Sequence, residues 1–298
     1  MTSDLVLRGV YVPLITPFAH DGSVALDALE GLAHSYLDAG AVGLVPLGTT
    51  GESAALTSVE KQAVVEVCDR VCSERGAPMI VGAGTNNTAT TVAAVEALAG
   101  LRSAVGALIV VPYYVRPSEA GVVAHYKAVA KASPVPIVLY NIPYRTGRGL
   151  GAASILELAN TGNIAGIKQA VGGIDADTLD VIANAPVGFS VLGGEDPFLF
   201  PTVVLGATGA IAASAHVCTS RFVEMIECGL AGKIDDGLAH HQALAPVIRA
   251  CFAEPNPAVF KGVLHAMGRI PTPDLRLPLL PAAENSIAVA LAAIEAAG

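Results

Sequence analysis

The chain has 298 residues, 53% of them apolar and only 14% charged, enough to bury one large core. A formal charge of −9 with no basic run excludes nucleic acid and anionic membranes as partners. An anionic substrate would need local positive groups to offset that field.

Short apolar runs alternate with amphipathic stretches from the N-terminus onward. The first strand is predicted over residues 10–16 and the first helix over 26–39, where Leu29, Leu32, Ala33 and Tyr36 recur on one side. Strands follow at 43–47, 79–84, 107–113, 136–142, 164–170, 189–193 and 209–213. Each has a helix after it, at 58–73, 88–99, 119–132, 152–159, 175–184, 197–206 and 221–231. Continuously apolar strands of this length are those of a parallel sheet buried on both faces. Ser58 and Thr88 read as N-caps.

Eight strand–helix units within about 230 residues predict a (β/α)8 barrel. The rival, a doubly wound sheet, carries a glycine fingerprint after its first strand; here that strand ends in "TPFAHDG". Beyond the eighth unit the alternation stops. Helices are expected at 235–251, 257–267 and 282–297, with the proline-rich "RIPTPDLRLPLLP" joining the last two. The chain thus divides into a barrel, residues 1–232, and a C-terminal helical region, residues 233–298.

Cys68, Cys72, Cys218, Cys228 and Cys251 are odd in number, scattered and without a CxxC pair, so neither a disulfide framework nor a zinc site is expected. Cys68 and Cys72, one helical turn apart, read as packing. His216 and the pair His240–His241 match no metal motif and read as surface and loop residues. No metal or cofactor is called for. The first ten residues show no basic segment leading into an apolar one, and no long apolar run lacks Gly, Pro or charge. A cytosolic protein without a signal peptide or membrane span is expected.

In a barrel the chemistry sits at the C-terminal ends of the strands. Those ends read "PLGTTGES", "VVPYYVRPSE", "LYNIPYRTG", "GIKQA" and "LGGEDPF". Lys168 stands inside an otherwise apolar strand. Taken alone it has two readings: a lysine paired with an acid or snorkelling to the rim, or an amine kept in an apolar site. Burying an unpaired ammonium is costly, and a neutral amine is what a Schiff-base nucleophile needs. Tyr140 and Arg145 supply a hydroxyl and a fixed cation on the preceding strand and loop. Thr49 and Thr50 lie in a glycine-bracketed turn suited to presenting backbone N–H groups to a carboxylate.

Taken together and in order, "GTTGES", "PYY", "YNIPYRTG" and "GIKQA" resemble the dihydrodipicolinate synthase / N-acetylneuraminate lyase family, from about residue 8 to about residue 281. The resemblance implies that Lys168 forms an imine with a 2-oxo acid, usually pyruvate. It implies that Tyr140 relays protons and that Thr49 links Tyr140 to a second tyrosine. That tyrosine is Tyr114, supplied in the family by the neighbouring subunit. It further implies that Thr50 cradles the pyruvate carboxylate and that Gly194 and Ile211 line the pocket. A homodimer, or a homotetramer made of two dimers, follows from the shared tyrosine.

Arg145 in "YNIPYRTG" resembles the synthase branch, where it binds the carboxylate of aspartate semialdehyde. The expected reaction is therefore condensation of pyruvate with L-aspartate 4-semialdehyde toward diaminopimelate and lysine. The alternatives are an aldolase or dehydratase acting on a sugar-derived 2-oxo acid or 4-hydroxy-2-oxoglutarate, and a catalytically silent ligand-binding barrel. The sequence departs from the branch at "SAHVC", where His216 stands near an expected Asn. It departs again at Glu195–Asp196, where an Asp pair is more usual, and in "NPAVFKG". In lysine-sensitive relatives the effector site uses histidines and an acid. Ser58, Lys61 and Thr90 occupy those positions here, so little inhibition by lysine is expected.

Overall fold

The structure, a computed structural model, describes residues 6–298, so residues 1–5 of the segment read for a leader lie outside it. β1 (Gly9–Val12) leads to α1 (Leu26–Asp38), β2 (Gly43–Leu44) to α2 (Ser58–Arg75), and β3 (Met79–Gly82) to α3 (Thr88–Glu96). β4 (Ala104–Val110) leads to α4 (Glu119–Ala132), and β5 (Ile137–Asn141) to a one-turn helix α5 (Pro143–Thr146) and then α6 (Ala152–Ala159). β6 (Ile164–Gln169), α7 (Ala176–Asn184), β7 (Ser190–Gly193), α8 (Leu199–Val204), β8 (Gly209–Ile211) and α9 (Thr219–Leu230) complete the cycle. The strands are parallel and close on themselves, β1 pairing with both β2 and β8. This is the expected (β/α)8 barrel with a C-terminal helical extension, made of α10 (Ile234–Cys251), α11 (Ala258–Ala266) and α12 (Glu284–Ala297).

Strand alternation separates two apolar layers. Leu139, Ile167 and Val191 point outward into the core shared with the helices. Val138, Tyr140, Leu192 and Ile211 point inward and fill the barrel. Lys168 has the parity of the inward set, and the register places it beside Tyr140 on β5 and Leu192 on β7.

Several boundaries differ from the sequence reading. The caps of α2 and α3 are Thr57 and Asn87, each one residue before the expected Ser58 and Thr88. Thr57 wins because Glu60 closes a capping box: the Thr57 hydroxyl accepts from the Glu60 N–H, and the Glu60 carboxylate accepts from the Thr57 N–H. The Asn87 side chain accepts from the Thr90 N–H in the same manner. α8 is shorter than expected and follows a separate 3-10 turn, Asp196–Phe198. β4 ends at Val110 rather than running on to Tyr113, so the two tyrosines that follow lie in a loop.

His216 is also not the surface residue expected. It is fully buried. Its Nε2 accepts from the Ile15 N–H at 3.1 Å and its Nδ1 lies 2.7 Å from the Ala213 carbonyl, so one neutral tautomer satisfies both contacts. His240 and His241 are half-buried, and the His241 ring stacks on Phe200. Cys68, Cys72 and Cys251 are buried and all five cysteines are free.

The C-terminal helices sit on the barrel mouth. α10 packs against α9 and α12. Val247, Phe260 and Val263 share a buried cluster with Ala213 and Val217 from the loop after β8. Among the described residues no helix is long and apolar enough to cross a membrane.

Candidate active site

A cleft of about 530 Å³ opens at the C-terminal ends of the strands. Lys168, Tyr140, Thr49, Thr50, Arg145, Gly194 and Ile211, all expected from the sequence, line it together.

Lys168 is buried, at 7% exposure, and forms no ion pair with any carboxylate among the described residues. That removes the reading of a paired structural lysine. Its nitrogen stands 4.5 Å from the centre of the Tyr140 ring. Gly194 makes room for it: a Cβ there would lie 2.8 Å from both Cγ and Cε of Lys168. Any side chain at position 194 would push the lysine out of place.

Thr49–Gly51 forms a 3-10 turn between two residues held in the left-handed region, Leu47 (φ 58°) and Glu52 (φ 52°). That conformation costs a non-glycine residue energy, and it persists only where the surroundings impose it. Here the surroundings are polar and buried. The Gly51 carbonyl accepts from the Thr16 hydroxyl at 2.7 Å. Glu52 pairs with Lys261 of α11 at 2.7 Å, and its second oxygen accepts from the Arg276 N–H at 2.9 Å. Thr50 Oγ accepts from Asn256 Nδ2 at 3.1 Å. The C-terminal region therefore holds the turn in shape. The first N–H groups of such a turn have no partner within it. Thr49 and Tyr140 share the cleft, but no direct hydrogen bond joins these two hydroxyls.

Arg145 rides on α5, and its guanidinium carbon lies 5.4 Å from the centre of the Tyr144 ring. Arg116 steadies this loop by donating from Nε to the Gly147 carbonyl at 3.0 Å.

Tyr114 is the exception. It is 87% exposed, with φ 70°, and lines an adjoining groove of about 790 Å³ rather than the cleft around Lys168. One chain alone does not bring Tyr114 to the lysine. Lys61 lies in that same groove, while Ser58 and Thr90 are exposed.

The sequence reading placed Glu195 and Asp196 at the pocket wall without giving either a role, and it did not assign Tyr144, Arg249 or Asn256; all five line the cleft. Asp196 is fully buried and accepts from the Ser214 N–H at 2.6 Å, which ties the ends of β7 and β8 together. Burial pushes its carboxyl upward. The Glu195 carboxyl is also raised, by burial first, and the Gly172 N–H, Lys168 and Arg145 oppose that shift. The signal for the acids was present in "GGEDPF"; for Asn256 it was the "NP" that opens α11.

The sequence profile of the dihydrodipicolinate synthetase family matches residues 6–297. The chain belongs to that family. It is 40% identical over 279 residues to 4-hydroxy-tetrahydrodipicolinate synthase 2 of Clostridium acetobutylicum, covering 94% of this chain and 96% of the relative. It is 39% identical over 293 residues to the 4-hydroxy-tetrahydrodipicolinate synthase of Neisseria meningitidis serogroup C, covering 98% and 99%. Among solved structures it resembles the chloride-inhibited dihydrodipicolinate synthase of Acinetobacter baumannii complexed with pyruvate. The TM-score is 0.94 at 33% identity, over 98% of this chain and 99% of that one. The lysine-bearing strand of this chain is the sixth of its closed barrel.

Proposed function

We propose that this chain is a lyase that condenses pyruvate with L-aspartate 4-semialdehyde to 4-hydroxy-tetrahydrodipicolinate, in lysine and diaminopimelate biosynthesis. The observation that carries the reading is Lys168: a buried lysine with no carboxylate partner among the described residues, beside a tyrosine, in a cleft that also holds an arginine. Its family membership supports the same reading.

The chemistry follows from these groups. The Lys168 amine adds to the pyruvate C2 carbonyl, and water leaves to give a protonated imine. The imine withdraws electrons and acidifies the methyl group; loss of one proton gives an enamine that attacks the aldehyde carbon, and the amino group of that substrate then adds to C2, closes the ring and displaces the Lys168 amine. Tyr140 carries protons to and from the reacting atoms. A phenol is a weak base, so its relay runs through the hydroxyl of Thr49 and a further hydroxyl. Tyr114 of a second copy supplies the latter. Thr50 and its turn hold the pyruvate carboxylate, and Arg145 holds that of the aldehyde. Gly194 and Ile211 shape the wall.

The working unit is a dimer, alone or paired into a tetramer. The exposed Tyr114 and its exposed neighbour Val115 support this. Residues 1–232 act as the catalytic barrel and residues 233–298 as a cap that completes the site. The enzyme works in the cytoplasm. Production of 4-hydroxy-tetrahydrodipicolinate, assayed by coupled reduction, tests the reading. The expected result is condensation with aspartate semialdehyde in preference to sugar-derived aldehydes; a reversed preference contradicts it.

A further inference from the structure

Among the described residues that the cap sends into the cleft, Arg249 alone is charged, and the chemistry above gives it no part. It stands in the last turn of α10, beside Ile248 and Phe252. It is exposed and pairs with no carboxylate among the described residues. A cation there also suits the C-terminal end of the helix dipole, which would be a purely structural role. The charge around it points further. The chain carries −9 overall, and such a field repels an anionic substrate. Among the described residues lining the cleft, two acids, Glu195 and Asp196, stand against two guanidiniums, Arg145 and Arg249. Lys168 adds no charge as it attacks, because its amine must then be neutral. Without Arg249 the fixed charges of the cleft would be negative as well. Burial raises both carboxyls, which tips the balance toward the cations while Arg249 is present. Ile211, Ala213, Ile248 and Phe252 give the cleft apolar walls, and low-dielectric walls focus the field on the opening.

We infer that Arg249 is the cation with which the cap draws the anionic 2-oxo acid into the cleft. This deepens the synthase reading and rests on its imine step. Arg249 holds no reacting atom; it raises the concentration of the anion at the opening. Arg145 is taken by the carboxylate of the aldehyde, and Thr50 and its turn by that of pyruvate once it is bound. Arg249 acts before either contact forms. The aldehyde, with one ammonium and one carboxylate, has no net charge and gains little from it.

The test measures kcat and KM for pyruvate, and KM for L-aspartate 4-semialdehyde, in wild type, Arg249→Lys, Arg249→Gln and Arg249→Glu. Each is assayed at ionic strengths of about 0.01 M and about 1 M, between which the screening length falls from about 30 Å to about 3 Å. At low salt Arg249→Gln is expected to lower kcat/KM for pyruvate about 3- to 10-fold, and Arg249→Glu about 10- to 30-fold, both through KM. Arg249→Lys, which keeps the charge, should stay within about two-fold of wild type, as should kcat and the KM for the aldehyde in every variant. At high salt all four proteins should converge to within about two-fold. A helix-end role would alter stability and leave this salt-dependent gap at zero. No gap at low salt, a gap of equal size at both salts, or a loss in kcat rather than KM overturns the proposal. Failure of the synthase reading looks different: wild type then gives neither product nor a borohydride-trapped pyruvate adduct at any salt, and the recruiting role falls with it.

Discussion

Among the described residues two lysines are buried, and they have opposite surroundings. Lys261, fully buried on α11, meets Glu52 at 2.7 Å and lies over the Phe18 ring at 4.0 Å. Lys168, on β6, has no carboxylate partner among the described residues and faces an open cleft. The first arrangement satisfies a charge and joins two distant parts of the chain. The second leaves an amine unengaged where a ligand can reach it. The difference teaches that burial of a lysine is not by itself a sign of chemistry; the missing partner and the adjoining space are.

Substitution should separate the two roles. Lys168→Arg is expected to lower activity by at least on the order of 10³-fold, because a guanidinium stays protonated and cannot attack a carbonyl. Lys168→Met should be as inactive, yet its stability should be unchanged or raised by up to about 2 kcal/mol, since an unpaired amine is removed. Lys261→Met should do the reverse. It strands the Glu52 carboxylate and is expected to cost about 3–5 kcal/mol in denaturant unfolding. Glu52→Gln combined with Lys261→Met should regain most of that loss. A stable Lys261→Met protein, or an unstable Lys168→Met one, would break the comparison.

His216 extends the satisfied side of the comparison and gives it a pH dependence. Burial pushes its imidazole down to about 4. The unfolded chain takes up a proton near pH 6.5 and the folded one does not. Stability is therefore full above about pH 6.5 and falls as pH drops toward 4, by roughly 3 kcal/mol from this group. Unfolding curves between pH 7 and 4 measure it, and His216→Asn should flatten this part of the slope.

Tyr114 extends the catalytic side. Tyr114→Phe is expected to slow turnover about 10- to 100-fold while pyruvate imine still forms. Mixing Lys168→Arg with Tyr114→Phe subunits under exchange should restore activity, because one site in each mixed dimer carries neither defect. No recovery with exchange confirmed by native mass spectrometry would place Tyr114 outside the partner's site. The smallest effect concerns L-lysine. Lys61 lies in the groove, Ser58 and Thr90 are exposed and uncharged, and Glu52, an acid that lines the groove, is already paired with Lys261, so the ammonium groups of lysine meet no free acidic host among these residues. Titration into the condensation assay should leave the rate nearly unchanged, and saturable inhibition below about 1 mM would contradict this.

What could be read from the sequence was what local pattern encodes. Eight apolar runs alternating with amphipathic ones gave the barrel, and Lys168 stood out because its strand was otherwise apolar. The cleft residues at strand ends followed from the barrel. What could not be read depends on distant parts meeting. Glu52 and Lys261 are 209 positions apart, and nothing near "NPAVFKG" says which acid its lysine will find. Asn256 reaches Thr50 across a similar span. His216 looked like a loop residue because its partners, the Ile15 N–H and the Ala213 carbonyl, are backbone groups that any sequence carries. The end of β4 was misplaced because "VVPYYV" stays apolar beyond the last ladder pair, and the left-handed turn at Tyr114 leaves no mark in composition.

The most direct test is to trap the imine and find where it sits. The folded protein is incubated with pyruvate and borohydride, digested, and mapped by mass spectrometry. A reduced pyruvyl adduct is expected on the peptide containing Lys168, with none on the peptide containing Lys261, and it should vanish in Lys168→Arg. An adduct on Lys261, or none anywhere in folded protein, would contradict the account.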